Sequence, residues 1–214
     1  MRADRYDSFW LWAGVVPSPV LEKAKAVYVL DGEIRQGAPH FIPLRPSAPR
    51  TRGPEIWLVI RTDTMAWPAG AVVGIARRAD GWTRNGNRVV GVQVDFDART
   101  KRLSDYAAFL EKVRHDLPRH YKLSITGLMD WSANGDPQDL IKLNGVVDEV
   151  VIQTYQGRST IAGYQGYFER MRGFPIPFKV GLVENGRWME PDGLRAERNF
   201  QGYVVFLLPR GEAR

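Results

Sequence analysis

The sequence predicts an α/β chain folded as one domain over residues 1–214, a (β/α)8 barrel that is small for its class and crosses from its second to its third strand through a Pro-rich extended connection. Three observations predict it. Short runs of β-branched and aromatic residues alternate with helical patterns, the rhythm required by parallel strands and crossover helices. Eight such runs can be read along the chain, which is the count a closed barrel needs. Neither a G-x-G-x-x-G nor a Walker-type phosphate loop is present to support the alternative, an open doubly wound sheet. With 214 residues and 44% hydrophobic composition the chain can bury one core, but barrels usually run to about 250 residues, so its loops must be short.

The predicted strands begin with Phe9–Ala13, which opens on Phe-Trp-Leu-Trp, and continue with Ala26–Gly32, Ile56–Arg61, Val89–Asp97, Lys122–Thr126, Val147–Tyr155, Phe178–Val183 and Tyr203–Leu208. Between them lie candidate helices at Val20–Lys25, Met65–Arg77, Ser104–Leu117, Pro137–Leu143, Thr160–Met171 and Pro191–Arg198. Ser104–Leu117 has the strongest pattern: Ser104 is placed to cap it, Tyr106, Phe109, Leu110 and Val113 recur at helical spacing, and Pro118 stops it. After the second strand, Pro39, Pro43, Pro46, Pro49 and Pro54 forbid an ordinary crossover helix, so the chain is expected to cross in extended form. In a TIM barrel of this order, the carboxyl-terminal ends of the strands carry the chemistry.

Lys and Arg number 30 against 24 Asp and Glu, a balance of +6 that would favour polyanions if concentrated on one face. Arg35, Arg45, Arg50, Arg52, Arg77, Arg78, Arg84, Arg88, Arg170 and Arg172 are instead spread over helices and loops with no aromatic-interleaved stripe, so no nucleic-acid partner is expected. The absence of cysteine excludes disulfides, thiolate nucleophiles and thiolate metal sites. His40, His115 and His120 lack the paired spacing of a zinc site, and no cofactor is expected. An oxygen-rich magnesium or calcium site built from Asp95, Asp97 and Asp130 is chemically permitted, but no spacing demands it. Ser/His/Asp catalysis lacks its nucleophile elbow. No apolar run approaches the roughly 20 residues of a membrane span. The first residues lack a signal peptide's apolar segment, so the expected location is cytoplasmic for the chain as written, and periplasmic or secreted if its start is processed or misassigned. Oligomeric state is not legible.

Side chains alternate across a strand, so Gln93, Asp95 and Asp97 share one face of the fourth run. The inward face of a barrel strand is normally filled by branched apolar residues, and carboxylates there are costly unless paired, hydrated or in use. Neighbouring carboxylates push their pKa values apart, which keeps one protonated as a general acid. The alternative is a cap or an ion pair with Arg99 or Lys101. Gln153 and Tyr155 likewise share a face, and their polar groups need partners: a ligand, Asp95, or a structural network inside the barrel. Glu33 follows the second strand, Asp130 and Trp131 the fifth, and Glu184 the seventh, while Trp10 and Trp12 lie on the first. A Trp beside carboxylates suits a sugar subsite, the ring stacking on the pyranose while the acids bind hydroxyls. Against this stand core filling for Trp10 and Trp12, loop packing for Trp131, and a plain Asn185-Gly186 turn for Glu184.

Val90-Gly-Val-Gln-Val-Asp-Phe-Asp97 resembles the fourth-strand signature D-G-x-D-x-D-W-E of the chitinase-type (family eighteen) glycoside hydrolases. Val90 and Gln93 replace its first two acids, Phe96 replaces its Trp, and Asp97 stands where that family has its catalytic Glu. Val151-Ile-Gln-Thr-Tyr-Gln156 is similar to the same family's M-x-Y-D segment, with Tyr155 in the Tyr position and Gln156 in place of Asp. Over nearly its whole length the chain more closely resembles a bacterial family of unknown function that carries, in order, the motifs present here as Phe9–Trp12, Asp95–Thr100, Ser124–Trp131 and Gln153–Gly157. These resemblances imply a glycoside-hydrolase-like barrel acting on a polysaccharide or N-acetylated glycan. Asp97 would be the general acid, Asp95 its electrostatic partner, and Tyr155 and Gln153 would orient the sugar. Gln93, Asp130, Trp131, Glu184 and Trp12 complete the expected site. The alternative is an inactive barrel that binds a glycan or a protein partner, and a third reading is metal-dependent hydrolysis.

Overall fold

A computed structural model describes residues 1–12, 19–48, 51, 53–96, 102–131 and 135–209. In chain order its strands are β1 (Ser8–Leu11), β2 (Ala26–Ile34), β3 (Ile42–Pro43), β4 (Glu55–Thr62), β5 (Arg88–Asp95), β6 (Lys122–Leu128), β7 (Glu149–Gln153), β8 (Tyr155–Gln156), β9 (Ser159–Thr160), β10 (Phe178–Val183) and β11 (Phe200–Leu207). Eight of them pair in parallel in the order β1-β2-β4-β5-β6-β7-β10-β11, and β11 pairs with β1, so the sheet closes into a TIM barrel without a free edge. Each expected run forms one of these strands; the proposed ends at Ala13 and Asp97 lie outside the described residues.

Alternation sorts the side chains into two layers. Outward residues such as Val27, Val29, Leu58, Ile60, Val92, Val94, Leu123 and Ile125 pack beneath the helices. Inward residues form a separate cluster of Trp10, Tyr28, Leu30, Trp57, Val59, Val151 and Val204. The interior is crowded enough to need a glycine opposite Trp57, because a Cβ on Gly91 would lie 2.5 Å from that ring and 2.5 Å from the Lys122 carbonyl oxygen. Tyr28 stacks on Trp57 with centroids 5.5 Å apart.

The crossovers are where the chain saves residues. α1 (Ala71–Arg84), α2 (Leu103–Asp116), α3 (Pro137–Leu143) and α4 (Tyr164–Arg170) are helical, whereas among the described residues the links from β1 to β2 and from β10 to β11 hold 3-10 turns, at Pro19–Lys23 and Leu194–Ala196, in place of the α-helices expected at Val20–Lys25 and Pro191–Arg198. α3 matches its expected span, with Pro137 at its start and the Asp136 carboxylate accepting from Gln138 N–H at 2.8 Å. Three further expectations are corrected. α1 starts six residues beyond Met65, because Pro68 precedes it, and runs on through Trp82, whose indole continues the buried stripe of Val72, Ile75 and Ala79. Ser104 does not cap α2; Arg102 occupies the cap position and makes no side-chain cap bond. Thr160 belongs to the β8–β9 hairpin rather than to α4.

As the prolines require, β2 and β4 are joined by a stretch with no helix among the described residues, and β3 within it pairs antiparallel to β2. Side chains anchor this stretch in place of a helix. Arg45 donates to the carbonyls of Leu30 (2.9 Å) and Trp12 (3.0 Å), and Arg78 of α1 donates to the Arg45 carbonyl at 2.7 Å while pairing with the fully buried Asp31. Burial pushes the Asp31 carboxyl above its ordinary pKa, although Arg78 pulls it down. No helix among the described residues is long and apolar enough to cross a membrane.

Candidate functional site

The inward face changes character along the barrel axis. Near the amino-terminal ends of the strands it holds a closed polar network. Glu149, the first residue of β7, accepts at Oε1 from the Tyr28 hydroxyl (2.6 Å) and the Ser124 hydroxyl (3.0 Å), and its Oε2 lies 2.9 Å from Lys179 Nζ. Lys179 also donates to the Tyr28 hydroxyl at 2.9 Å, and Gln93 Nε2 donates to Ser124 Oγ at 3.0 Å. Burial, reinforced by the Glu149 charge, pushes the Tyr28 hydroxyl well above its ordinary pKa.

At the carboxyl-terminal ends the barrel opens into a cleft of about 1080 Å³. Trp10, Trp12, Phe206 and Tyr155 give it an aromatic wall; Asp95, Asp63 and Glu33 supply carboxylates, Arg35, Arg61 and Arg158 guanidinium groups, and Gln153 and Gln156 amides. Tyr155 stacks on Phe206 with centroids 5.4 Å apart, and Trp12 meets Phe206 edge to face at 5.9 Å. Asp95, the last residue of β5, accepts from the Thr126 hydroxyl at 3.1 Å, and the same oxygen of Thr126 accepts from Phe96 N–H at 3.2 Å, which fixes the strand end. Asp95 is only 8% exposed but borders the cleft.

The structure thus brings Asp95, Gln153, Tyr155 and Trp12 to one cleft. Tyr155 reaches it from β8 rather than from the sixth barrel strand, which ends at Gln153; between them the buried Thr154 donates its hydroxyl to the Gly181 carbonyl at 2.8 Å. Asp97 lies outside the described residues, as do Arg99 and Lys101.

The other expected residues are elsewhere. Gln93 is 1% exposed and held in the network beneath the cleft. Trp131 does not face the mouth: it is 1% exposed, in the outer core, edge to face with Tyr106 of α2 and against Gly127. Asp130 is half-buried and does not line the cleft. Glu184 follows β10, and its carboxylate accepts from Leu208 N–H at 3.0 Å, beside Asn185 in the left-handed conformation, so it ties that turn to the end of β11. Glu33 lies within β2 rather than after it, since a bulge between Leu30 and Gly32 lets that strand run on to Ile34.

Arg61, Asp63, Arg158 and Phe206 are among the cleft residues that the sequence did not single out. Trp57, Val59 and Arg61 alternate onto one face of β4, a signal that was present, but only the register that sets Arg61 opposite Asp95 shows where that face ends.

The chain belongs to the family described as Domain of unknown function (DUF3142), whose model matches residues 59–174. No curated protein matches it. Among solved structures, the Bacillus cereus spore cortex-lytic enzyme SleL is similar with a TM-score of 0.56 at 19% identity, over 83% of this chain and 50% of that one. The chain therefore spans half the length of the SleL structure. Tamarind chitinase-like lectin gives 0.54 at 10% identity, over 94% of both chains. The xylanase-α-amylase inhibitor protein XAIP-I, in complex with trehalose, gives 0.57 at 9% identity, over 93% of this chain and 92% of that one. These likenesses are of the chitinase-like TIM-barrel fold. A lytic enzyme, a lectin and an inhibitor share it, so the fold alone does not choose between catalysis and binding.

Proposed function

We propose that the cleft at the barrel mouth takes a carbohydrate, and that the chain acts on a polysaccharide or N-acetylated glycan as a glycoside-hydrolase-like barrel. One observation carries the reading: Asp95, Gln153 and Tyr155 converge on a single aromatic-walled cleft at the carboxyl-terminal ends of β5 and β7. In this reading sugar rings stack on Trp12 and Tyr155, whose faces suit the apolar side of a pyranose. Asp97, two residues beyond Asp95, protonates the glycosidic oxygen as the bond to the anomeric carbon breaks. The sugar's own acetamido carbonyl attacks that carbon from the other side, with Asp95 stabilising the charge that develops and Tyr155 holding the acetamido group. Water then releases the product and restores the proton to Asp97.

A second reading, a barrel that binds glycan without cleaving it, is favoured by the environment of Gln93. Where the resembled signature has an acid below its catalytic pair, Gln93 is an amide tied to Ser124, and through it to Glu149, and has no proton to pass upward. A glycan-array screen of the wild type and Asp97→Asn, followed by product analysis on each hit, tests the proposal. Cleavage by the wild type that falls about 10²-fold or more in the variant supports the hydrolase. Binding without cleavage in both selects the second reading, and binding by neither refutes the carbohydrate site.

A further inference from the structure

We infer that the glycan is acidic, with a carboxylate or sulfate substituent seated against Arg61; this rests on the carbohydrate reading of the cleft. The charges lining the cleft balance in number, but their partners do not. Glu33 is ion-paired with Arg35 at 2.6 Å, Asp63 accepts from Gln36 N–H at 2.7 Å, and Asp95 accepts from the Thr126 hydroxyl at 3.1 Å. Arg61 and Arg158, by contrast, have no carboxylate within ion-pair distance among the described residues. Both are exposed, and both line the same cleft.

Arg61 is also held in place. Its guanidinium lies over the Trp12 ring, 4.9 Å from the centroid, which restricts a long side chain and occupies its planar face. The edge with its N–H donors stays open, and that fork matches the two oxygens of a carboxylate or two of a sulfate. Arg61 pairs in register with Asp95 across β4 and β5, so an anion there sits beside the proposed reaction centre rather than on a remote rim. A neutral glycan would leave both guanidinium groups to solvent. An acidic one would give Arg61 an ion-pair partner while its ring rests on the aromatic wall.

The test compares matched oligosaccharides by isothermal titration calorimetry: uronate-containing chains, their carboxyl-reduced counterparts, and sulfated forms of the same neutral backbone. The wild type should bind an anionic member about tenfold or more tightly than its neutral counterpart, and whichever anionic series shows the preference identifies the substituent. Arg61→Met should bring that ratio close to one, Arg61→Lys should retain part of it, and Arg158→Gln should reduce it less. Because both arginines are exposed, these variants are expected to fold, and circular dichroism checks this. Equal binding of anionic and neutral members by the wild type, or an unchanged ratio in Arg61→Met, overturns the inference while leaving the carbohydrate site standing. Failure to bind any member of the series overturns both.

Discussion

Gln93 and Asp95 stand two residues apart on the same inward face of β5, yet one lies beneath the cleft and the other at its edge. The lower barrel uses its polar groups on one another: Tyr28, Gln93, Ser124, Glu149 and Lys179 form a network whose charges are paired, Glu149 buried and Lys179 partly so. The upper barrel opens its polar groups to a cleft between aromatic walls. A polar residue facing into a barrel is therefore not a functional residue by virtue of its direction. Its height along the strand decides, because the interior below is packed shut by Trp57 and Tyr28, and the same residue types above meet solvent-accessible space.

The largest expected effects come from removing members of the lower region. Glu149→Ala strands the Lys179 ammonium beside Tyr28 and should cost about 3–5 kcal/mol, read from the denaturant midpoint. A loss below about 1 kcal/mol would show that the network does not hold the barrel together. Trp131→Ala should cost a similar 3–5 kcal/mol, since it empties a core position that is 1% exposed. Trp12→Ala sharpens the contrast: it should cost less stability but weaken glycan binding by about tenfold through loss of a stacking face. Gly91→Ala forces a methyl against Trp57 and the Lys122 carbonyl, and thermal denaturation should show a destabilisation of about 1–3 kcal/mol.

The smallest effect is a pH dependence. Burial and Glu149 raise the folded-state pKa of Tyr28 above the unfolded value of about 10. Its contribution to stability is therefore fully present below pH about 10 and is lost as the pH rises beyond that toward the folded value. Tyr28→Phe should accordingly flatten the alkaline limb of the stability profile; an unaltered limb would assign that limb to other groups.

The strands were legible because each is a run of β-branched and aromatic residues long enough for its alternation to show, and their number fixed the closed barrel. Helix limits were less so. Pro68 disfavours a helical Trp67, but no residue in Met65–Pro68 announces that Trp67 donates to the Thr62 hydroxyl at 3.1 Å, a tertiary contact. In the site, Asp95 and Tyr155 could be read from alternation and motif, but Gln93 and Trp131 could not be placed. Strand alternation gives a face, and only the register between strands gives a depth. Arg61 was hidden for the same reason: in one dimension it is one more dispersed cation, and it acquires meaning through Trp12 and Asp95, which lie 49 and 34 residues away.

The most direct test of the division between sealed base and working mouth is glycan binding and cleavage by Asp95→Asn set beside Gln93→Leu, each compared with the wild type and corrected for folded fraction. Loss of binding or cleavage in Asp95→Asn, with both retained by the folded Gln93→Leu protein, is the predicted result. Equal loss in the two, or full retention in Asp95→Asn, would contradict it and remove the cleft from its proposed role.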